Sequence, residues 1–166
     1  MIDTTALRDA YTALDNAAAT VADSGSSPVP PTGEWNADQI LAHVALVNGA
    51  TIAAAASVAS GENTTYDNRR ALDTWTIERL TTLAGGNTGL RDRIRRQANV
   101  LCELSELLSD AELDTLVPAL LLSNNTVLVD RPMPLREIIT GLADAELPGH
   151  TQQLMDLLPA RAEATA

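Results

Sequence analysis

The chain has no phenylalanine and no lysine, and its 166 residues include only two tryptophans, two tyrosines, two histidines and one cysteine. Without large aromatics the core must be filled by Leu, Val, Ile and many alanines, a composition suited to closely packed helices. The single Cys102 excludes an internal disulfide, and no basic-then-apolar leader opens the sequence, so a reduced, cytoplasmic setting is expected. Residues 84–89, AGGNTG, have the glycines of a phosphate-cradling loop, but a chain without lysine cannot complete one. They read as a flexible turn with Thr88 as N-cap. All eleven basic residues are arginine, against twenty-two acidic ones, so the net charge is 11 − 22 = −11. An acidic surface repels a phosphate backbone, and no nucleic-acid partner is expected. Only residues 40–60 have membrane-spanning length. His43, Asn48 and several alanines and serines interrupt them, so they suit a bundle helix better than a membrane span, and no membrane partner is expected.

What is present is helical periodicity in a chain long enough for one domain, 1–166, with a frayed tail at 159–166. Leu7, Tyr11, Leu14, Ala18 and Val21 step by four and three residues, with Asp3 as N-cap. Residues 24–33, SGSSPVPPTG, are a loop. Asn36 and Gln39 have the spacing of a capping box, and Trp35 can staple onto Ile40, which predicts a helix from Ala37 with Ile40, Val44, Val47, Thr51, Ala54 and Val58 inward. After a polar loop, GENTTYDN, residues 69–84 form a shorter amphipathic helix with Leu72, Trp75, Arg79 and Leu83 on one face. Residues 90–108 carry Ile94, Gln97, Leu101, Leu104 and Leu108 on one stripe. Arginines at 91, 93, 95 and 96 lie near its start, where a solvated face is the favoured reading and an anion-attracting cluster the other. Cys102, among leucines, reads as a buried, inert thiol. Between 109 and 133, LVPALLL and TVLV flank Ser-Asn-Asn, as in a small hairpin or a strap across the bundle.

Chemistry concentrates in residues 133–158, MPLREIITGLADAELPGHTQQLMDLL. Leu135, Ile139, Leu142, Leu154 and Leu157 fall at helical spacing, and Glu146, His150 and Gln153 fall in the same series. A carboxylate taken out of water costs several kcal/mol unless it is paired or coordinates a metal, so Glu146 requires a partner. The chain's other histidine, His43, lies one turn inside the second helix, at the edge of its inward stripe. Pro148 removes a backbone donor between Glu146 and His150, and the unbroken register favours a kinked continuous helix over two separate ones. Spacing alone leaves open both a metal site and a histidine and glutamate satisfied by core hydrogen bonds. In the metal reading, Glu146→Ala is expected to stabilise the metal-free protein by removing an unpartnered carboxylate.

The pair of stretches GEWNADQILAHV and LREIITGLADAELPGHTQQL resembles the DinB/YfiT-like metalloenzyme superfamily, and most of all the metal-binding domain of mycothiol-dependent maleylpyruvate isomerase, over nearly the whole chain. The resemblance implies an all-α fold, a DinB-like four-helix bundle with one long connection before the last helix. It also implies one divalent metal held by His43, Glu146 and His150. Two nitrogens and a carboxylate oxygen with an open fourth position are the ligand set of catalytic zinc; nickel accepts the set, and iron(II) takes it in a facial arrangement. The family further implies a cosubstrate, mycothiol or a similar low-molecular-weight thiol. The reading that follows is a thiol-dependent S-transferase acting on a small electrophile in detoxification, with a metal-activated-water hydrolase and a non-catalytic metal-binding bundle as alternatives. The arginine-bearing carboxy-terminal domain of the isomerases has no counterpart in these residues, so maleylpyruvate isomerisation is not expected. Pairing of such bundles makes a homodimer the oligomer to look for.

Overall fold

The computed structural model describes residues 2–24, 30 and 32–159. The first helix, α1 (Thr5–Asp23), has Thr4 and not the expected Asp3 in its N-cap position, while the Asp3 carboxylate accepts the Thr5 amide at 2.9 Å, and it buries the five residues of its stripe together with Ala17. Most of the expected loop at 24–33 and all but the first residue of the expected frayed tail lie outside the described residues. Helix α2 (Ala37–Ala59) opens with the expected capping box: Asn36 Oδ1 accepts the Gln39 amide at 2.9 Å, and Gln39 Oε1 accepts the Asn36 amide at 3.0 Å. All six residues of its inward stripe are buried. Leu41, Ala42, Ala45, Asn48 and Ala55 are buried too, so α2 is enclosed on several sides. It is the one described helix long and apolar enough to cross a membrane, and most of its apolar window is buried inside the protein.

One short strand and two helices follow where a polar loop and one amphipathic helix were expected. Strand β1 (Tyr66–Asp67) carries a buried Tyr66, in place of an all-polar loop. Helix α3 (Arg69–Leu72) then stops at Asp73, whose extended backbone and side chain cap a new helix, α4 (Thr74–Ala84), by accepting the Thr76 amide at 2.9 Å. The cap resets the helical phase, so Ile77, Leu80 and Ala84 face the core while Trp75 and Leu83 are exposed. Helix α5 (Asn87–Leu107) begins two residues after α4 ends, with Gly86 in the N-cap position and Thr88 already inside the helix. Gly85, at φ 82°, closes α4 in the left-handed conformation. A Cβ at Gly89 would come 1.7 Å from the Ala84 carbonyl oxygen, so the glycines serve a tight helical corner. On α5 the buried residues are Leu90, Ile94, Ala98, Leu101, Cys102 and Ser105.

After a single capped turn, α6 (Asp110–Leu113), the long connection forms the expected hairpin: β2 (Leu116–Ser123) pairs antiparallel with β3 (Thr126–Pro134). Asn124 and Asn125 turn the chain at φ 47° and 60°, which short Asx side chains tolerate. Tyr66↔Ala119 and Asp67↔Leu120 add β1 parallel to β2, giving a sheet of order β1-β2-β3. The protein is therefore mainly helical with a small sheet, where an all-α fold was expected. The last helical segment runs as α7 (Leu135–Gly141), a π turn (Leu142–Glu146) and α8 (Leu147–Asp156), and it packs against α1 and α2.

Candidate metal centre

The π turn explains how Pro148 is accommodated without a break. Leu147 N–H bonds to Leu142 O, one residue further back than in an α-helix, and the extra residue widens the turn just before the proline. The chain thus stays helical from Leu135 to Asp156, as the register suggests. The inserted residue also lets both Leu142 and Leu147 reach the core, and the burial of Leu147 is not foreseen by a 3.6-residue period. Glu146 leaves the π turn and His150 follows one turn later on the same face.

His43, buried on α2, meets them from the other side. Its Nδ1–H donates to the Ala71 carbonyl at 2.8 Å; Ala71 lies in the four-residue α3, whose last carbonyls have no helical partner. A carbonyl can only accept, so the Nδ1 proton is fixed and a neutral ring keeps its lone pair on Nε2. That Nε2 stands 2.8 Å from Glu146 Oε1. His150 repeats the arrangement: Nδ1 lies 2.9 Å from Gln153 Oε1, and Nε2 lies 3.2 Å from the same Glu146 oxygen. Two ring nitrogens and one carboxylate oxygen thus converge, with the three ligand atoms all within 4.8 Å of one another. Among the described residues this is the one group of three such donors placed to hold a metal ion.

Electrostatics show what this arrangement demands. Burial acts to raise the Glu146 pKa, but hydrogen bonds with His150 and His43, and the charge they carry when protonated, hold the carboxyl well below the usual carboxylate range. Burial acts to lower the His150 pKa, and the bond to Glu146 with its negative charge outweighs it and pushes the imidazole up. A lone pair facing a carboxylate is repulsive, so each Nε2 contact calls for a proton between nitrogen and oxygen or a metal ion shared among the three donors. The donor set fits a borderline divalent ion of the zinc type, and Ala71 and Gln153 are the outer partners that orient such histidines.

The structure therefore brings together all three residues singled out from the sequence. Trp35, expected as a staple on Ile40, puts its half-buried ring 4.9 Å from the His43 ring and 6.5 Å from that of His150, walling both imidazoles. The Asn36 cap immediately after it is the only hint of that placement in the sequence. Of the four clustered arginines, Arg91 pairs with Asp15 and Arg95 with Asp92, while Arg93 and Arg96 are exposed. Gln97 donates to the Ala45 carbonyl at 2.9 Å. Cys102 is buried, and burial pushes its thiol up, as expected of an inert cysteine. Comparison with protein-family models, with curated proteins and with solved structures finds no match to this chain.

Proposed function

We propose that this protein is a metal-dependent, low-molecular-weight-thiol-dependent S-transferase acting on a small electrophile. In this reading the chain is a DinB-like four-helix bundle in the cytoplasm, with His43, Glu146 and His150 holding one divalent ion, zinc first and nickel or iron(II) next. The observation that carries it is the convergence of two imidazole Nε2 atoms, each with Nδ1 tied to an acceptor, on a single carboxylate oxygen. A divalent cation in such a site supplies Lewis acidity that keeps a thiol, or a water, deprotonated near neutral pH. His43 and His150 orient the site through Ala71 and Gln153, and Trp35 shields the imidazoles on one side. The thiol branch of the chemistry rests on the motif resemblance, with mycothiol or a similar thiol as cosubstrate, and the partners are small molecules and a second copy of the chain.

The test begins with elemental analysis of protein purified without added metal, followed by thiol-conjugation assays across mycothiol, related thiols and a panel of electrophiles. Folded His43→Ala and His150→Ala variants are expected to lose both the metal and the rate. Metal-loaded protein that is inactive with every thiol but hydrolyses an ester or amide would replace this reading with the hydrolase. Protein that takes up metal and does neither would be the non-catalytic bundle.

A further inference from the structure

The three-stranded sheet has one covered face and one bare face. Its inner side is closed by the buried Tyr66, Val117 and Ala119. Side chains alternate along a strand, so the positions between these point outward. In the β2–β3 register the outward pairs are Leu116 with Pro134, Pro118 with Pro132, Leu120 with Asp130 and Leu122 with Val127. Seven of these eight residues are apolar, where an antiparallel sheet with one solvated face ordinarily places polar ones. None of the eight is buried; Leu116 is 62% exposed and Val127 54%. An apolar face of this kind marks an interaction surface.

The charges bordering this face say what it fits. The chain carries −11, and two copies of it repel unless they meet across a neutral surface. Asp67, Arg69 and Arg70 stand on the β1 side and Asp130 on the β3 side, a formal charge of 2 − 2 = 0. The signs are separated. Arg69 Nε and Nη2 donate to Asp67 Oδ2 at 2.9 and 2.6 Å, while Arg70 adds its charge near the same carboxylate and makes no ion pair among the described residues. The β1 margin is therefore 2 − 1 = +1. Asp130 makes no ion pair among the described residues either and leaves the β3 margin at −1, since its neighbour Arg131 pairs with Ala119 in the inner register. Asp67 and Asp130 lie at one level, each opposite Leu120. A two-fold axis along β2 keeps that level and exchanges the margins, so the positive margin of one copy falls over the negative margin of the other. An axis across the strands would stack each margin on its like.

We propose that two copies of this chain pair face to face through the outer side of the sheet, β2 on β2 about a two-fold axis along that strand, with Arg70 of each copy against Asp130 of the other. Leu116, Leu120 and Leu122 then pack on their own counterparts across the axis. A strand rise of about 3.4 Å and a strand spacing of about 4.8 Å make this face smaller than the roughly 800 Å² per partner of a standard interface, so the dimer is a reversible one in the micromolar range. The triad is not part of this surface, and the pairing stands whether or not the triad holds a metal.

The test is sedimentation velocity of the intact protein across the micromolar range, where a reversible monomer–dimer equilibrium is expected. Leu116→Glu, at an exposed position, sets two carboxylates against each other on the axis and is expected to weaken the dimer by about tenfold or more. Arg70→Asp and Asp130→Arg are each expected to weaken it by about tenfold, from two copies of a partly exposed ion pair at about threefold each. The double variant Arg70→Asp/Asp130→Arg is expected to recover most of that loss. Amide shifts of the unmodified protein on dilution keep the test independent of whether a variant folds: changes are expected on the three strands and not on α8. A monomer at every concentration, a dimer that Leu116→Glu leaves unchanged, or dilution shifts confined to the helices would overturn the surface. Weakening by Leu116→Glu without recovery in the double variant would overturn the two-fold arrangement.

Discussion

At Glu146 one carboxylate oxygen serves two imidazoles, and the side chain is 32% exposed. This corrects the expectation that removing Glu146 would relieve the metal-free protein of an unpartnered charge. Both imidazoles lie within hydrogen-bond distance of it and can partner it as protonated rings, so Glu146→Ala is predicted to abolish metal uptake and also to destabilise the metal-free protein by about 1.5 to 3 kcal/mol, the range for hydrogen bonds to charged groups. Chemical denaturation in the presence of chelator, beside metal analysis, measures both. Tyr66 gives a second prediction at this scale. Burial pushes its phenol up to about 12, with a smaller opposing effect from Thr51 and a further rise from the charge of Glu146. A folded-state pKa raised above the unfolded value of about 10 contributes stability that is complete below pH 10 and is lost as pH rises towards 12. Alkaline titration followed by tyrosine absorbance is expected to show no ionisation at the ordinary pH and then a late rise that coincides with unfolding. His43, Glu146 and His150 were legible because an i, i+4 pair on an apolar stripe, and a histidine one turn inside a capped helix, are local patterns. The Ala71 carbonyl and the Trp35 ring were not, since both reach His43 through packing between segments.

Among the elements, the corner between α4 and α5 is the most sterically constrained. Gly89 sits where a Cβ would run into the Ala84 carbonyl, and the clash is with backbone, which cannot swing aside as a flexible side chain can. Gly89→Ala is therefore predicted to cost about 1 to 3 kcal/mol, as overpacking does, although alanine is the better helix former in isolation. Thermal unfolding of the variant checks it; an unchanged or raised Tm would show that the corner has room. The same element shows why a reading by period alone put the wrong face of α4 inward. Asp73 caps a new helix in the middle of an apparently continuous segment, and after that cap Ile77 replaces Trp75 as the inward residue.

For the whole molecule, the triad ties α2 to the last helical segment, and a ligand that binds only this arrangement stabilises the folded state by mass action. Zinc at a hundredfold excess over its dissociation constant adds about 2.7 kcal/mol. In a chain of this length that is predicted to raise Tm by roughly 5 to 10 °C. Differential scanning calorimetry with zinc, with chelator and with His43→Ala would record the rise, its reversal and its absence. A Tm indifferent to zinc and chelator would leave the triad as a hydrogen-bonded core cluster.

The long helices, the Asn36 capping box, the stripe on α2 and the Asn-Asn hairpin were set by the sequence alone, because each depends on residues within a few positions of one another. Tertiary structure decided the rest. Tyr66 becomes a strand because Ala119, far along the chain, offers a parallel partner, and nothing near Tyr66 encodes that pairing. The π turn is a compromise between Pro148, which lacks an amide hydrogen, and a core that takes Leu142, Leu147 and Leu154 at once. The meeting of His43 with Glu146 and His150 likewise depends on the packing of α2 against the last helix, since helical periodicity places a side chain on a face but does not choose which helix that face will meet.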